Sequence, residues 1–251
     1  MKRILIVIAA MTASCAAPSV SVMPFMAINS LDGSVATSGG GASSSTDLGT
    51  LGVGDSETGI GGRFDFVGPN SQWSITHATS KFAGNGTMSA KLDLGGKTFE
   101  QDVDVATNLD LAVTSLLWTH NWGLGDTAHF GLGLGVTSLG LTMQVTEQTT
   151  KETGRMDETL PIPLIGLRLG GDIGPVRVEA TYAFLKVDVD EGSISVTDMD
   201  IYGGLDVLGD MGTLVLGYRE FAFDTSFEDA SDSANLDLQL GGPYLGVRFA
   251  F

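Results

Sequence analysis

The sequence contains few of the residues that crosslink proteins or bind metals. Cysteine occurs once among 251 residues, as Cys15, so neither an intramolecular disulfide nor a thiolate metal cluster is available. Histidine occurs three times, and no pair has the His-x-x-x-His spacing of a helical zinc site. Beyond the N-terminus, uninterrupted apolar runs are only a few residues long, which excludes a transmembrane helix. We expect no metal site and no cofactor.

Basic residues are also scarce. Lysine and arginine total 13 against 30 aspartates and glutamates, which gives a formal net charge of −17 at pH 7. A surface that binds nucleic acid needs a basic patch, and no segment of this sequence provides one. The charge balance therefore argues against a nucleic-acid partner.

The first residues have the pattern of an export signal. Two basic residues precede the apolar run Ile4–Met11, and small residues follow, with cleavage expected after Ala16. The run is too short to cross a bilayer as a helix. Cys15 also permits lipidation, although Thr12 stands where the lipoprotein motif usually has leucine. Residues 1–16 are therefore predicted to be a signal peptide, and Cys15 is either lipidated or removed with it.

From about residue 60 onward, apolar and polar side chains alternate, which is the period of a β-strand. The pattern occurs in Phe64–Val67, Leu109–Val113, Phe130–Val136, Val176–Phe184, Met199–Val207 and Leu236–Leu240. One face of these segments carries Leu, Val and Phe, and the other often carries Gly, Thr, Ser, Asp or Arg. A tilted strand needs about 9–11 residues to cross a bilayer. With their flanking residues, several segments are long enough to span a membrane.

The connections between these segments are alternately short and long. The short ones are rich in Gly, Pro, Asn or Asp, as tight turns require, and they are 68–71, 123–126, 170–175 and 209–212. The long ones are polar, and they are 83–106, 146–158, 188–193 and 224–235. Short periplasmic turns and longer extracellular loops are typical of an outer-membrane barrel.

The strand count requires one strand more than this alternation gives. The chain from Ile60 to its end provides nine strands, and closure on an even number needs a tenth. We expect it in Val22–Ser45, where Gly/Ser-rich sequence also permits a loop or a plug. The fold class predicted is all-β: a closed antiparallel up-and-down transmembrane β-barrel of ten strands, with eight as the alternative. Residues 17–58 form the N-terminal segment and residues 59–251 the barrel.

Aromatic side chains group at two levels of the predicted strands. Those near the turns are Phe66, Trp73, Trp118, Trp122, Phe130, Phe249 and Phe251. Those near the loops are Tyr182, Phe184, Tyr218, Phe221 and Phe223. Two aromatic belts, one at each membrane interface, are typical of a spanning barrel.

The chain ends in YLGVRFAF, with Tyr244, Gly246, Phe249 and Phe251 at the positions of the C-terminal β-signal of outer-membrane barrels. With the signal peptide and the strand pattern, the sequence resembles the small outer-membrane β-barrel proteins, in the broad OmpA-like sense, without a periplasmic domain. The resemblance implies a location in the cell outer membrane of a Gram-negative-type envelope. It also implies insertion by the barrel-assembly machinery and contact with outer-membrane lipids and lipopolysaccharide. We expect a monomer.

If the apolar face of each strand meets lipid, the other face points into the lumen. It carries charges of both signs, which must pair when buried. These residues are Arg63, Asp65, Arg168, Arg177, Glu179, Asp206, Arg219 and Arg248. Since a barrel of eight or ten strands is largely filled by its side chains, we predict a network of salt bridges that closes the lumen. The alternative is a narrow ion path lined by arginines.

Motifs of barrel enzymes are incomplete in this sequence. Omptin proteases use Asp-x-Asp and Asp-x-His pairs, and Asp-x-His does not occur here. Outer-membrane phospholipases and lipid A deacylases use a histidine with a serine two residues later, and the nearest match is His77 with Thr79. We therefore predict no catalytic residue and a non-enzymatic barrel that serves envelope structure or surface interaction. The alternative is a narrow porin-like channel for small solutes or ions, and a lipid hydrolase or omptin-like protease is a remote one.

Overall fold

The computed structural model describes residues 18–39, 42–54, 56–125, 127–189, 192–207, 211–228 and 232–251. The predicted signal peptide, including Cys15, lies outside these residues. Within the described residues, no helix is both long and apolar enough to cross a membrane.

The described part of the chain forms thirteen strands. They are β1 (Ser19–Gly39), β2 (Ala42–Asp47), β3 (Glu57–Val67), β4 (Ser71–Thr87), β5 (Leu92–Leu94), β6 (Lys97–Phe99), β7 (Asp104–Leu124), β8 (Ala128–Glu147), β9 (Thr153–Ile173), β10 (Val176–Val189), β11 (Gly192–Asp206), β12 (Gly212–Glu228) and β13 (Asp232–Ala250).

Ten of these strands form a closed antiparallel barrel. The order is β1, β3, β4 and then β7 to β13, and β13 pairs back onto β1. At this seam Val22 lies opposite Phe249 and Leu31 lies opposite Leu240. Closure gives every barrel strand two paired neighbours in the half nearer the short turns, so that no sheet edge is exposed there to hydrocarbon, which does not tolerate one. The predicted closed barrel of ten strands, rather than eight, is confirmed.

The tenth strand, β1, lies in the N-terminal segment 17–58, so the barrel begins at Ser19. β2 pairs with the second half of β1, and β3 pairs with the first half. After β2 the chain turns inward, where Leu48, Leu51 and Val53 are almost fully buried in one apolar cluster with Phe82. Part of the Gly/Ser-rich segment is therefore strand, and the residues that follow it help to fill the barrel.

Much of the sequence predicted as loop is strand. Only residues 148–152 join β8 to β9, and β10 and β12 continue to Val189 and Glu228. These strand extensions were predicted as loops because they are rich in polar residues. A strand that projects beyond the membrane is solvated on its outer face, so its outward residues need not be apolar. The connection from β4 to β7 remains long, and it contains the separate β5–β6 hairpin.

The outer surface carries an apolar belt nearer the short turns. Its exposed side chains include Met26, Ile28, Ile60, Leu132, Leu134, Ile165, Leu169, Val178, Ile201, Leu205, Leu216 and Leu245. Aromatic pairs lie at its two edges: Trp122 stacks on Phe130 with ring centroids 5.8 Å apart, and Tyr182 stacks on Phe184 at 5.6 Å. This belt is the surface that a lipid bilayer would cover.

Two aromatic residues predicted for the outer belt lie inside the barrel instead. Phe221 and Phe223 are each only 3% exposed and pack in the interior apolar cluster. They alternate with outward positions such as Tyr218, so the prediction for these two residues is wrong. The reason is that the interior of this half of the barrel is apolar, and both faces of β12 therefore carry aromatic residues.

Candidate functional site in the barrel interior

The interior of the barrel has two layers. The layer nearer the short turns is polar and contains most of the buried charges, whereas the layer nearer the loops is a cluster of buried apolar side chains. A buried charge is expensive unless it is paired, so the polar layer holds the strongest electrostatic constraints in the molecule. This polar layer is the candidate functional site.

Arg63 on β3 is the centre of the polar layer. Its guanidinium contacts three carboxylates: Nε donates to Asp65 Oδ1 at 2.9 Å, Nη2 to Glu179 Oε1 at 2.5 Å and Nη1 to Asp200 Oδ2 at 3.1 Å. The ring of Tyr202 lies 5.3 Å from the guanidinium carbon, a cation–π contact. All four partners are buried. Arg63 therefore neutralises carboxylates from three different strands.

Arg168 on β9 extends this cluster to the opposite wall. It is 1% exposed and forms a salt bridge with Glu179, so two arginines share one carboxylate. It also donates to Ser74 Oγ at 2.7 Å and to Thr119 Oγ1 at 3.2 Å. Ser74 in turn donates to Asp65 Oδ1 at 2.5 Å. The donors and acceptors form one connected network.

A second cluster surrounds Arg219 on β12. Its Nε and Nη2 donate to the two oxygens of Asp198 at 3.1 and 3.0 Å, a bidentate pair. Ser115 donates to Asp198 Oδ2 at 2.5 Å and accepts from Thr137 at 2.9 Å. The cavity between the two clusters is only about 30 Å³ and is lined by Arg63, Arg168, Asp198, Asp200 and Arg219, among others. That space suits one or two water molecules.

The structure brings five of the eight predicted lumen charges into these two clusters. They are Arg63, Asp65, Arg168, Glu179 and Arg219. Arg248 is buried and donates to Ser21 Oγ at 3.0 Å, and Ser21 lies 3.4 Å from Asp65. Arg248 therefore touches the network only through a hydroxyl.

Arg177 and Asp206 correct the predicted network. Arg177 donates to Asp172 on the neighbouring strand at 2.7 Å, and the two side chains are 30% and 57% exposed. Asp206 accepts a hydrogen bond from Thr213 at 2.6 Å. Both residues are on the inward face, but they lie at the short-turn end, where water reaches them and no buried partner is needed.

Sequence reasoning missed Asp198 and Asp200, the carboxylate partners of Arg219 and Arg63. Their Asp-x-Asp spacing also matches one half of the omptin motif. The same spacing on a strand places both side chains on one face, together with Tyr202. Every second residue of β11 faces the lumen, and this alternation identifies Asp198 and Asp200 as lumen residues.

Tyr244 connects the C-terminal segment to this network. Its hydroxyl donates to Asp200 Oδ1 at 2.7 Å, and its ring lies 5.0 Å from that of Phe25. A Cβ at Gly217 would lie 2.4 Å from Tyr244 Cζ, so the glycine leaves the space that the ring fills. Of the other β-signal residues, Gly246 is buried, whereas Phe249 and Phe251 are exposed on the outside.

Tyr244→Phe is expected to lower the free energy of unfolding by about 1–3 kcal/mol, because a buried carboxylate oxygen loses its donor. The matched control is Tyr218→Phe, whose hydroxyl donates to Glu220 at 3.2 Å on the exposed outer face. A surface change of this kind is expected to alter stability by less than about 0.5 kcal/mol. Urea unfolding of both refolded variants, followed by tryptophan fluorescence, compares them. Equal stabilities would show that the bond to Asp200 contributes nothing.

The residues considered for catalysis do not assemble into a site. His77 lies on the exposed outer face, where Nδ1 is 2.8 Å from Thr114 Oγ1. His120 packs edge-on against Trp122, with ring centroids 4.6 Å apart. Among the described residues, no group of three or more His, Cys, Asp or Glu side chains is placed to hold a metal ion.

The sequence matches no protein-family model and no curated protein. Several solved structures do match. The outer membrane protease OmpT from Escherichia coli has a TM-score of 0.58 at 12% identity, with 92% of this chain and 97% of that chain covered. Ail from Yersinia pestis gives 0.34 at 8% identity, covering 93% and 98%. The translocator domain of the autotransporter NalP from Neisseria meningitidis gives 0.41 at 12% identity, covering 100% and 94%.

These similarities concern the fold, since all the identities are low. The likeness to OmpT, together with the closed strand order and the outward apolar belt, confirms the predicted fold class. It also supports the predicted location in the outer membrane. The chain has the fold of an outer-membrane β-barrel protein.

Proposed function

We propose that this protein is a non-enzymatic outer-membrane barrel with a closed lumen, which serves envelope structure or surface interaction. The observation that carries the proposal is the buried polar layer. Its two clusters and the Ser21–Arg248 contact draw side chains from all ten barrel strands. Such a layer fixes the strands relative to one another and fills the lumen.

The geometry favours closure over the alternative of a narrow channel. The layer holds four arginines, Arg63, Arg168, Arg219 and Arg248, and four carboxylates, Asp65, Glu179, Asp198 and Asp200. A cavity of about 30 Å³ remains between them. An ion that crossed this layer would have to break buried salt bridges, each of which is costly to leave half-paired.

The absence of catalysis is also part of the proposal. The fold is shared with a protease, but a fold hosts many functions, and function depends on the site. The aspartates of the omptin-like spacing at Asp198 and Asp200 are both neutralised by arginines. His77 points outward, away from them. These placements favour a structural role for the carboxylates.

The partners proposed are outer-membrane lipids and lipopolysaccharide around the apolar belt, and the barrel-assembly machinery during insertion. Phe249 and Phe251 support the second, because they are exposed at the end of the strand that closes the barrel. The acidic net charge of −17 makes association with nucleic acid unfavourable. We propose that the barrel acts as a monomer.

Planar-bilayer recording on the refolded full chain tests the closed lumen. We expect no stepwise conductance above that of the empty bilayer, because hydrated ions do not fit the polar layer. An open porin reconstituted in parallel is the positive control for insertion and detection. Discrete small conductance steps from this protein, proportional to the amount reconstituted, would contradict closure and favour the narrow channel.

A further inference from the structure

The layer of the barrel nearer the loops encloses a large apolar cavity. Its volume is about 640 Å³, within the roughly 300–1,000 Å³ of sites that bind small organic molecules. Its lining comes from β1, β5 and β8 to β13, and includes Met143, Ile162, Leu185, Phe223 and Leu236. The polar layer described above does not contribute to it. A cavity of this size and composition is suited to an apolar molecule.

The β5–β6 hairpin covers this cavity. Leu92 and Leu94 line it, and Phe99 is buried in the same apolar cluster. A Cβ at Gly154 would lie 2.6 Å from the Leu94 carbonyl oxygen, so the hairpin packs closely against the start of β9. The long connection from β4 to β7 thus folds back over the barrel, and entry from above is restricted.

The wall beside the cavity is open. β9 and β10 pair only from Ile165 opposite Phe184 to Ile173 opposite Val176. Among the described residues, 153–164 of β9 and 185–189 of β10 have no pairing with each other. On their other sides both strands remain paired, β9 with β8 to Thr153 and β10 with β11 to Val189. The two strands therefore separate beyond Phe184 and leave a gap in the barrel.

Two prolines maintain this gap. Pro161 and Pro163 lie in the unpaired part of β9, are exposed and line the cavity. Proline has no N–H to donate to a neighbouring strand and occurs in sheets mainly at edges. β9 is an edge strand along this stretch, although the barrel around it is closed. The opening is consequently encoded in the sequence ETLPIPL (158–164).

The opening lies at the edge of the membrane belt. Tyr182 and Phe184 stack on the outer surface just below the separation, and Lys186 and Asp188 are exposed just above it. Aromatic residues favour the membrane–water interface, whereas charged residues lie outside it. A molecule dissolved in the outer part of the bilayer thus meets the opening without crossing the polar loops.

The charges of the lining select an uncharged ligand. Asp93 and Glu158 are the charged groups that line the cavity, and both are acidic. Among the residues that the structure describes, no lysine or arginine lines it to pair with an anionic headgroup. A fatty carboxylate would be repelled, whereas a neutral hydrocarbon or alcohol would be stabilised by the removal of its apolar surface from water.

We propose that this cavity binds an uncharged apolar small molecule, which enters from the outer edge of the membrane through the opening between β9 and β10. The site is separate from the polar layer and goes beyond the proposed structural role. A closed, non-conducting lumen is compatible with it, because the ligand does not cross the polar layer.

Binding is tested with the neutral fluorophore N-phenyl-1-naphthylamine and the full chain in phosphatidylcholine nanodiscs, with empty nanodiscs subtracted. We expect saturable binding that Ile162→Trp weakens by about tenfold or more, because the indole fills the cavity. Leu236→Trp is a second variant from the opposite wall. Ile165→Trp, on the lipid-facing side of the same strand, is the matched control and should bind as the unmodified chain does. Heat-dependent gel mobility verifies that each barrel is folded.

The route is tested by restoring the missing N–H groups with Pro161→Val/Pro163→Val. In stopped-flow mixing, we expect entry of the fluorophore to slow by about tenfold, with affinity changed by less than about twofold. Pro243→Val, an exposed proline on β13, is the control and should leave entry unchanged. Entry as fast as in the unmodified chain would overturn the proposed route.

The ligand class is tested by competition. Dodecanol should displace the fluorophore at about tenfold lower concentration than dodecanoate, because Asp93 and Glu158 repel the carboxylate. Equal displacement by both would overturn the assignment to uncharged ligands. Absence of saturable binding, or equal binding by Ile162→Trp and Ile165→Trp, would overturn the site itself. None of these results depends on bilayer conductance, so they are independent of the closed-lumen proposal.

Discussion

Arg63→Ala is expected to lower the free energy of unfolding by about 3–5 kcal/mol, because it leaves buried carboxylates without their counter-ion. Three carboxylates, Asp65, Glu179 and Asp200, contact this guanidinium, and all are less than a tenth exposed. Glu179 keeps Arg168, but among the described side chains Asp200 keeps only the Tyr244 hydroxyl as a bonded donor. Urea unfolding of the refolded protein in lipid vesicles measures the loss.

Arg177→Ala is the matched control for this prediction. Arg177 also forms a salt bridge, with Asp172, but both side chains are substantially exposed. Exposed pairs contribute about 0–1 kcal/mol, because water and salt screen them. Similar losses for the two variants would show that burial in the polar layer does not govern the stability of the barrel.

Leu134→Arg is expected to destabilise the inserted barrel by about 2–4 kcal/mol, the cost of a charge facing the middle of the bilayer. Leu134 is 64% exposed on β8, midway between Phe130 at the turn edge of the belt and Ser138. The leucine is exposed only in the absence of lipid. Unfolding in urea from phosphatidylcholine vesicles measures the change.

Thr142→Arg supplies the control on the same strand and the same face. Thr142 lies eight residues nearer the loops, opposite Asp110, which accepts the added charge. This variant is expected to change stability by less than about 0.5 kcal/mol. If both arginines cost the same, the belt around Leu134 would not be the membrane-facing surface.

Strand alternation predicted the barrel because its cause is local. Side chains on a strand alternate between two faces, so Leu132 and Leu134 point outward whenever their neighbours point inward. The same rule placed Arg63, Asp65, Arg168 and Glu179 inside before any partner was known. The assignment of Phe221 and Phe223 to the outer aromatic belt failed, because an apolar interior removes the contrast between the two faces, and both share the inward face with Arg219.

The sequence did not predict which lumen charges form salt bridges with each other. Arg63 and Asp200 are separated by 137 positions and meet only because closure and strand stagger bring β3 and β11 to the same level. Arg177 was predicted to join the lumen network, but the tight turn between β9 and β10 places Asp172 directly opposite it. A shift of two residues in the pairing of β9 with β10 would place a different residue opposite Arg177.

The sequence by itself determined that this chain is a membrane-spanning barrel. Strand alternation, tight turns and aromatic residues near the strand ends are all properties of short segments. Only the tertiary structure decided which charges close the lumen, and that the loop-side half encloses an apolar cavity. It also decided the consequence of Pro161 and Pro163. Two prolines can weaken any strand, but they open the wall here because the neighbouring half of β10 is the partner they leave unpaired.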